Sequence, residues 1–142
     1  MIILFKKYNG ALVTDGTRGI TNIAYDDLGN PRRIQFSNGS ATRYVYSATG
    51  EKLRTVHYTA PAMGSTRELA PSEILYADST DYLLGGILTL RNGRIDKYLF
   101  EEGYCQATQY NATQDNFTFL YYDKDHLGNV LSRRYFNVTV TI

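Results

Sequence analysis

Apolar and polar residues alternate along most of this chain in short runs, and turn-forming residues cut nearly every run off after a few positions. Period-two alternation rich in Tyr, Val, Ile and Thr marks a strand lying half-buried on a pleated surface. The pattern predicts strands over residues 2–7, 11–14, 20–25, 32–36, 41–46, 52–58, 73–77, 86–90, 94–100, 104–110, 117–123 and 130–142. Strands this short and regularly spaced argue an all-β fold. The one irregular stretch, 59–71, carries Pro61 and Pro71 and reads as a loop, although Ser65-Thr66-Arg67-Glu68-Leu69 has the composition of a single helical turn.

Turn chemistry gives a first guess at register. Asn9-Gly10, Asp15-Gly16, Asn38-Gly39 and Asn92-Gly93 are dipeptides that tolerate positive φ at both positions, and so suit tight hairpins. A two-residue loop at Asn38-Gly39 sets Phe36 opposite Ala41, Ile34 opposite Arg43, Arg32 opposite Val45, Gln35 opposite Thr42 and Arg33 opposite Tyr44. The same construction at Asn92-Gly93 sets Leu90 opposite Ile95, Leu88 opposite Lys97 and Ile87 opposite Tyr98. Neither hairpin has one clean apolar face. Mixed faces in which cations lie over tyrosine rings suit a wall better than a compact sandwich.

With 142 residues the chain has the length of one domain. The expected organisation is a single β domain over 1–142, with N-terminal repeats in 1–58, a loop in 59–72 and a C-terminal meander in 73–142. Fifteen Lys and Arg against fourteen Asp and Glu give no sign of a nucleic-acid partner or of an anionic membrane. No apolar run reaches the ~20 residues that cross a bilayer, and Met1-Ile2-Ile3-Leu4-Phe5 is too short for a signal peptide, so none is expected in this chain. The single cysteine, Cys105, excludes an internal disulfide framework and reads as a small residue packed in a sheet. Thirteen tyrosines, against six phenylalanines and no tryptophan, strengthen the case for strands.

The chain also repeats itself. Asp26-Asp27-Leu28-Gly29-Asn30 and Asp125-His126-Leu127-Gly128-Asn129 differ by one residue, and Ser47-Ala48-Thr49-Gly50-Glu51 is a looser copy. Tyr25 precedes Tyr46 by 21 residues, and Gly29 precedes Gly50 by 21. A fixed period of about this size marks stacked supersecondary units.

Tyr25-Asp26-x-x-Gly29, a short strand, the turn at Ser37-Asn38-Gly39-Ser40 and then Tyr44-x-Tyr46 and Gly50 resemble the YD repeat of the Rhs family. Tyr122, Asp125, His126, Leu127, Gly128 and Asn129 resemble the signature of the Rhs repeat-associated core region, and Gly16-Thr17-Arg18-Gly19-Ile20 and Asp81-Tyr82-Leu83-Leu84-Gly85-Gly86 resemble segments of the Bacteroidetes-type members. The second repeat carries Ser47 where the motif has Asp. The resemblance implies antiparallel hairpin repeats joined into a long twisted, curved sheet, a segment of a hollow shell. It implies a non-enzymatic structural role in a secreted or cell-surface protein whose shell encapsulates or displays a C-terminal effector or toxin domain. The chain then reads as a truncated fragment of that longer protein, whose remainder and effector are its expected partners, and its open sheet edges favour homo-oligomers.

The reactive readings of these residues are weaker than the architectural ones. Asp125-His126 as an acid–base pair lacks a third member, so a turn is expected in which Asp caps amides and His126 packs on a tyrosine. Asp26-Asp27 is too short a run of oxygen donors for a calcium loop. No catalytic, cofactor-binding or metal residue is therefore assigned. The alternative function is a carbohydrate- or peptide-binding surface built from exposed Tyr and Arg.

Overall fold

The structure, a computed structural model, describes residues 4–6, 9–60 and 68–141. The expected strand residues Ile2, Ile3, Lys7 and Ile142, and most of the expected helical turn at 65–69, lie outside the described residues. Twelve strands are present among those described: β1 (Leu4–Lys6), β2 (Leu12–Asp15), β3 (Ile20–Tyr25), β4 (Pro31–Phe36), β5 (Ala41–Tyr46), β6 (Lys52–Thr59), β7 (Tyr76–Leu83), β8 (Leu88–Arg91), β9 (Arg94–Phe100), β10 (Gly103–Tyr110), β11 (Gln114–Lys124) and β12 (Val130–Thr141). The fold is all-β and antiparallel, as the alternation predicts. Among the described residues the only helical pieces are three-residue 3₁₀ turns at Pro71–Glu73 and Leu84–Gly86. No described helix is long and apolar enough to cross a membrane.

Contacts divide the chain into two compact units, 1–80 and 81–142, with the division inside β7 and not at the 59–72 stretch. In the first unit β1 to β6 pair in sequence order, each strand antiparallel to the next. In the second, β8 to β12 do the same. Each unit is a meander of neighbouring hairpins. Among the described residues few apolar side chains are deeply buried: Ile23, Ala41 and Ala60 in the first unit, and Cys105, Phe117 and Leu120 in the second. With so small a core, backbone ladders and cross-strand side-chain pairs carry much of the stabilisation.

Several turn expectations are corrected. At Asn38-Gly39 the loop has three residues, because Phe36 N–H donates to Ser40 O at 2.9 Å and Gly39 N–H to Phe36 O at 3.1 Å. Arg33 therefore faces Arg43, Ile34 faces Thr42 and Gln35 faces Ala41, one residue away from the expected register. At Asp15-Gly16 the loop has four residues, since Asp15 pairs with Ile20 and Gly19, not Gly16, takes positive φ. At Asn92-Gly93 the two-residue loop forms, with Asn92 at φ +50° and Gly93 at +80°, and Leu90 faces Ile95 as expected. A bulge one step further out then sets Leu88 opposite Tyr98 and not Lys97.

The strand expected at 73–77 begins later. Pro71 opens a 3₁₀ turn, which Glu73 closes by accepting Ala70 N–H on Oε2 at 2.7 Å. The strand expected at 86–90 also starts late, because Leu84, Gly85 and Gly86 all take positive φ, which no strand continues through.

Candidate functional site

The repeated phrase folds into one repeated object. In the turn at 26–30, Asp26 N–H donates to Asn30 O at 2.9 Å and Gly29 N–H to Asp26 O at 3.1 Å, with Gly29 at φ +84°. The Asp26 Oδ1 accepts Leu28 N–H at 3.0 Å and Asn30 N–H at 2.8 Å, and Oδ2 accepts Asn30 Nδ2 at 3.2 Å. The turn at 125–129 reproduces every one of these bonds. Asp125 N–H reaches Asn129 O at 2.9 Å and Gly128 N–H reaches Asp125 O at 3.0 Å. Asp125 accepts Leu127 N–H at 2.8 Å, Asn129 N–H at 2.9 Å and Asn129 Nδ2 at 2.9 Å. At 47–51 the backbone is the same, and the Ser47 hydroxyl accepts Glu51 N–H at 3.0 Å in place of the carboxylate. Glycine sits at the left-handed position because a Cβ there is strained.

Each of these turns is followed by the same irregularity. Tyr25 faces Pro31 but Ala24 faces Arg33, so Arg32 is an extra residue. Tyr46 faces Lys52 but Val45 faces Arg54, leaving Leu53, and Lys124 faces Val130 but Asp123 faces Ser132, leaving Leu131. A three-residue turn plus a bulge on the outgoing strand is thus built three times.

The tyrosine before the turn ties its strand to the preceding one. Tyr25 donates its hydroxyl to Leu12 O at 2.5 Å and Tyr46 donates to Pro31 O at 3.1 Å, both carbonyls belonging to the first residue of the preceding strand. Tyr122 is not their counterpart, since it stands three residues before Asp125. Lys124 occupies that place and donates from Nζ to Glu101 O at 3.2 Å. Tyr122 instead meets Tyr104 edge-on at 6.4 Å. Tyr44 lies beside Tyr46 at 6.3 Å, with the Lys52 ammonium 5.0 Å from its ring centre.

Hydrogen bonding decides the titration of both aspartates. Desolvation is the largest influence on Asp26 and pushes it up, but the bonds from Asn30 and Leu28 together hold its pKa below the ordinary carboxylate value. For Asp125 the Asn129 side-chain bond is the largest influence, followed by the Asn129 amide, and its pKa is again lowered. Carboxylates so committed to amides within their own turn are poor proton acceptors. His126 is exposed, and among the described residues no ring packs against it, which corrects the expected tyrosine contact. No three His, Cys, Asp or Glu side chains among the described residues gather as a metal site.

Three features were not legible in the sequence. Gln35 is the largest fully buried side chain among the described residues, and its amide donates to Gly39 O at 3.2 Å and Ser40 O at 3.1 Å. Gly103 lies where an added Cβ would come 1.8 Å from Leu120 O. In β9 to β11, Arg94 pairs with Asp115 and stacks 5.1 Å over Tyr110, whose hydroxyl donates to Ile95 O at 2.9 Å. Burial first, and then the Asp96 carboxylate, push the Tyr110 phenol up to about 12.

One concavity among the described residues of the first unit is an open groove of about 640 Å³ over β4, β5 and β6. Arg32, Arg33, Arg43 and Arg54 line it together with Tyr58 and the carboxylates of Asp26 and Glu68. Guanidinium, carboxylate and phenol groups thus share one open surface of this unit. No protein-family model matches this chain, and no curated protein matches its sequence.

Proposed function

We propose that this chain is a non-enzymatic structural segment of a secreted or cell-surface Rhs/YD-repeat protein, part of a β-shell around a C-terminal effector. The observation that carries the reading is the threefold construction of one turn and one outgoing bulge. A part repeated in this way extends a sheet by a fixed increment and needs no reactive group. The edge strand supports the same reading. Among the described residues β12 pairs only with β11, and it exposes Leu131, Tyr135, Phe136, Val138 and Val140. Such an edge is completed by further strands of a longer protein or by a second copy of this chain.

The test is an immunoblot of source cells with antibody raised against these residues. The shell reading expects a band far above 16.1 kDa, outside the cytoplasm and protease-resistant until denatured. A cytoplasmic band at 16.1 kDa alone overturns it. A second reading, a peptide- or carbohydrate-binding surface, has one observation in its favour: the arginine-lined groove.

A further inference from the structure

We propose that β12 is the edge through which two copies of this chain join, antiparallel to one another about a twofold axis at Val138. The proposal goes beyond the shell reading and stands or falls without it. A pair of matching triplets supplies the first argument. Asn116-Phe117-Thr118 on β11 lies antiparallel to Asn137-Val138-Thr139 on β12, so Asn116 faces Thr139, Phe117 faces Val138 and Thr118 faces Asn137. The bonds run crosswise: Thr118 donates its hydroxyl to Asn137 Oδ1 at 2.8 Å, and Thr139 donates to Asn116 Oδ1 at 2.7 Å. An Asn-x-Thr triplet is therefore its own complement when two strands run antiparallel. The edge strand β12 carries one, and among the described residues it pairs only with β11.

Bonding capacity supplies the second. Asn137 accepts from Thr118 on its oxygen, and among the described residues its Nδ2 has no acceptor. The Thr139 hydroxyl commits its proton to Asn116 and keeps lone pairs that accept. Both residues are exposed. In a pairing centred on Val138, Asn137 Nδ2 meets Thr139 Oγ1 of the second copy, twice by symmetry. Each row then runs from Thr118 through Asn137 to Thr139 and Asn116 of the second copy. It ends where Asn116 Nδ2 already donates to Gln109 Oε1 at 3.1 Å. All donors along such a row point one way, and hydrogen bonds in series strengthen one another.

The other side chains of β12 supply the third. The same register sets Val138 opposite itself, Phe136 opposite Val140 and Tyr135 opposite Thr141, aromatic and β-branched pairs that stabilise a sheet. Arg133 and Arg134, which oppose like charge in any pairing centred on them, fall past the end of the facing strand at Thr141. Every second residue of an edge strand turns its backbone N–H and C=O away from its one neighbour, leaving a second ladder to be made. Because the axis uses one edge twice, assembly closes at two copies.

Sedimentation equilibrium over a range of concentrations tests this on the full chain. A reversible step from 16.1 kDa to twice that mass is expected, with nothing larger. Val138→Lys sets two ammonium groups against each other at the axis and should weaken the step about tenfold or more. Register is read by cysteine cross-linking under mild oxidation, since the native Cys105 is buried. Val138→Cys should form a disulfide-linked dimer about tenfold faster than Val140→Cys, whose two sulfurs stand ~14 Å apart along the strands. Circular dichroism checks folding; should the lysine variant fail to fold, the two cysteine variants decide. A chain that stays monomeric at every concentration overturns the proposal, as do equal cross-linking rates at 138 and 140. A ladder of higher masses overturns it too, because it marks head-to-tail pairing of β12 with a different edge.

Discussion

The two units hold their hairpins in register by different means. In the first, the fixing element is a buried polar side chain: the Gln35 amide, with no exposed surface, bonds the carbonyls of Gly39 and Ser40 from inside the turn. In the second it is aromatic. Gly103 faces Phe100 on one side and Tyr121 on the other, and the two rings approach to 5.2 Å across it. Tyr121 then meets Phe136 edge-on at 5.8 Å, extending the run to β12. Buried hydrogen bonds are directional and specify one loop geometry, whereas rings over a glycine specify how closely two strands approach. The shorter strands of the first unit therefore depend on their turns, and the longer strands of the second depend on their faces.

The largest expected effect breaks the second unit alone. Gly103→Ala places a methyl group 1.8 Å from the Leu120 carbonyl oxygen, inside backbone that has no rotamer to change. A loss of about 4 kcal/mol or more is expected, at the severe end of single substitutions. Hydrogen exchange resolved by peptide would show β10 and β11 losing protection while β3 to β5 keep theirs. Equal loss in both units would mean that they unfold as one.

Gln35→Leu is the counterpart in the first unit, and smaller. It keeps the volume but deprives buried acceptors of their donor, at a cost of about 2–3 kcal/mol. Urea unfolding should show that loss, and exchange should rise first at Phe36 and Ser40. A neutral substitution would show that the turn is set by Ser37-Asn38-Gly39 without help from within.

That turn also shows where the sequence stops being readable. Strands β3, β5 and β9 have the bounds expected from alternation alone, and the phrase around Gly29 and Gly128 marks equivalent turns. The dipeptide Asn-Gly, however, does not state whether its asparagine turns left-handed. Asn92 does, at φ +50°, and gives a two-residue loop. Asn38 does not, because its Oδ1 accepts Ser40 N–H at 3.0 Å and holds it in an Asx turn. The resulting one-residue slip reverses which side chains share a face. In the expected register Arg33 lay opposite Tyr44, so the facing pair of Arg33 and Arg43 was invisible. Gly103 was equally hidden, since a close approach between strands leaves no trace in composition.

The paired turns allow a more delicate comparison. Gly29 and Gly128 sit at φ +84° and +87°, with open space around a prospective Cβ in each case. Alanine at either position should cost only the left-handed strain, about 1–2 kcal/mol. The two losses, measured by thermal melts of the single variants, should agree within about 0.5 kcal/mol. A clear inequality would mean that the flanks, Tyr25 in one and Lys124 in the other, load the turns differently.

The smallest effect is read in acid. Both Asp26 and Asp125 are held below the ordinary carboxylate value, at one turn by several bonds that together outweigh desolvation and at the other chiefly by the Asn129 side chain. A carboxylate whose folded pKa lies below its unfolded one stabilises fully above the unfolded value, and that contribution is lost as pH falls through the folded value. Both turns should therefore weaken only below about pH 4, the ordinary carboxylate range. Carbon-detected titration of the two side chains should place both midpoints below that range. Replacing the asparagine partner then separates them. Asn129→Ala removes the leading cause at Asp125 and should raise its midpoint, while the backbone N–H bonds from positions 127, 128 and 129 still hold it down. Asn30→Ala removes only the second of the bonds that lower Asp26, because the backbone N–H at position 30 remains the stronger one, and so should raise its midpoint less. If the two midpoints move together, the turns share one electrostatic origin as well as one geometry, and the difference between the units lies entirely in their strands.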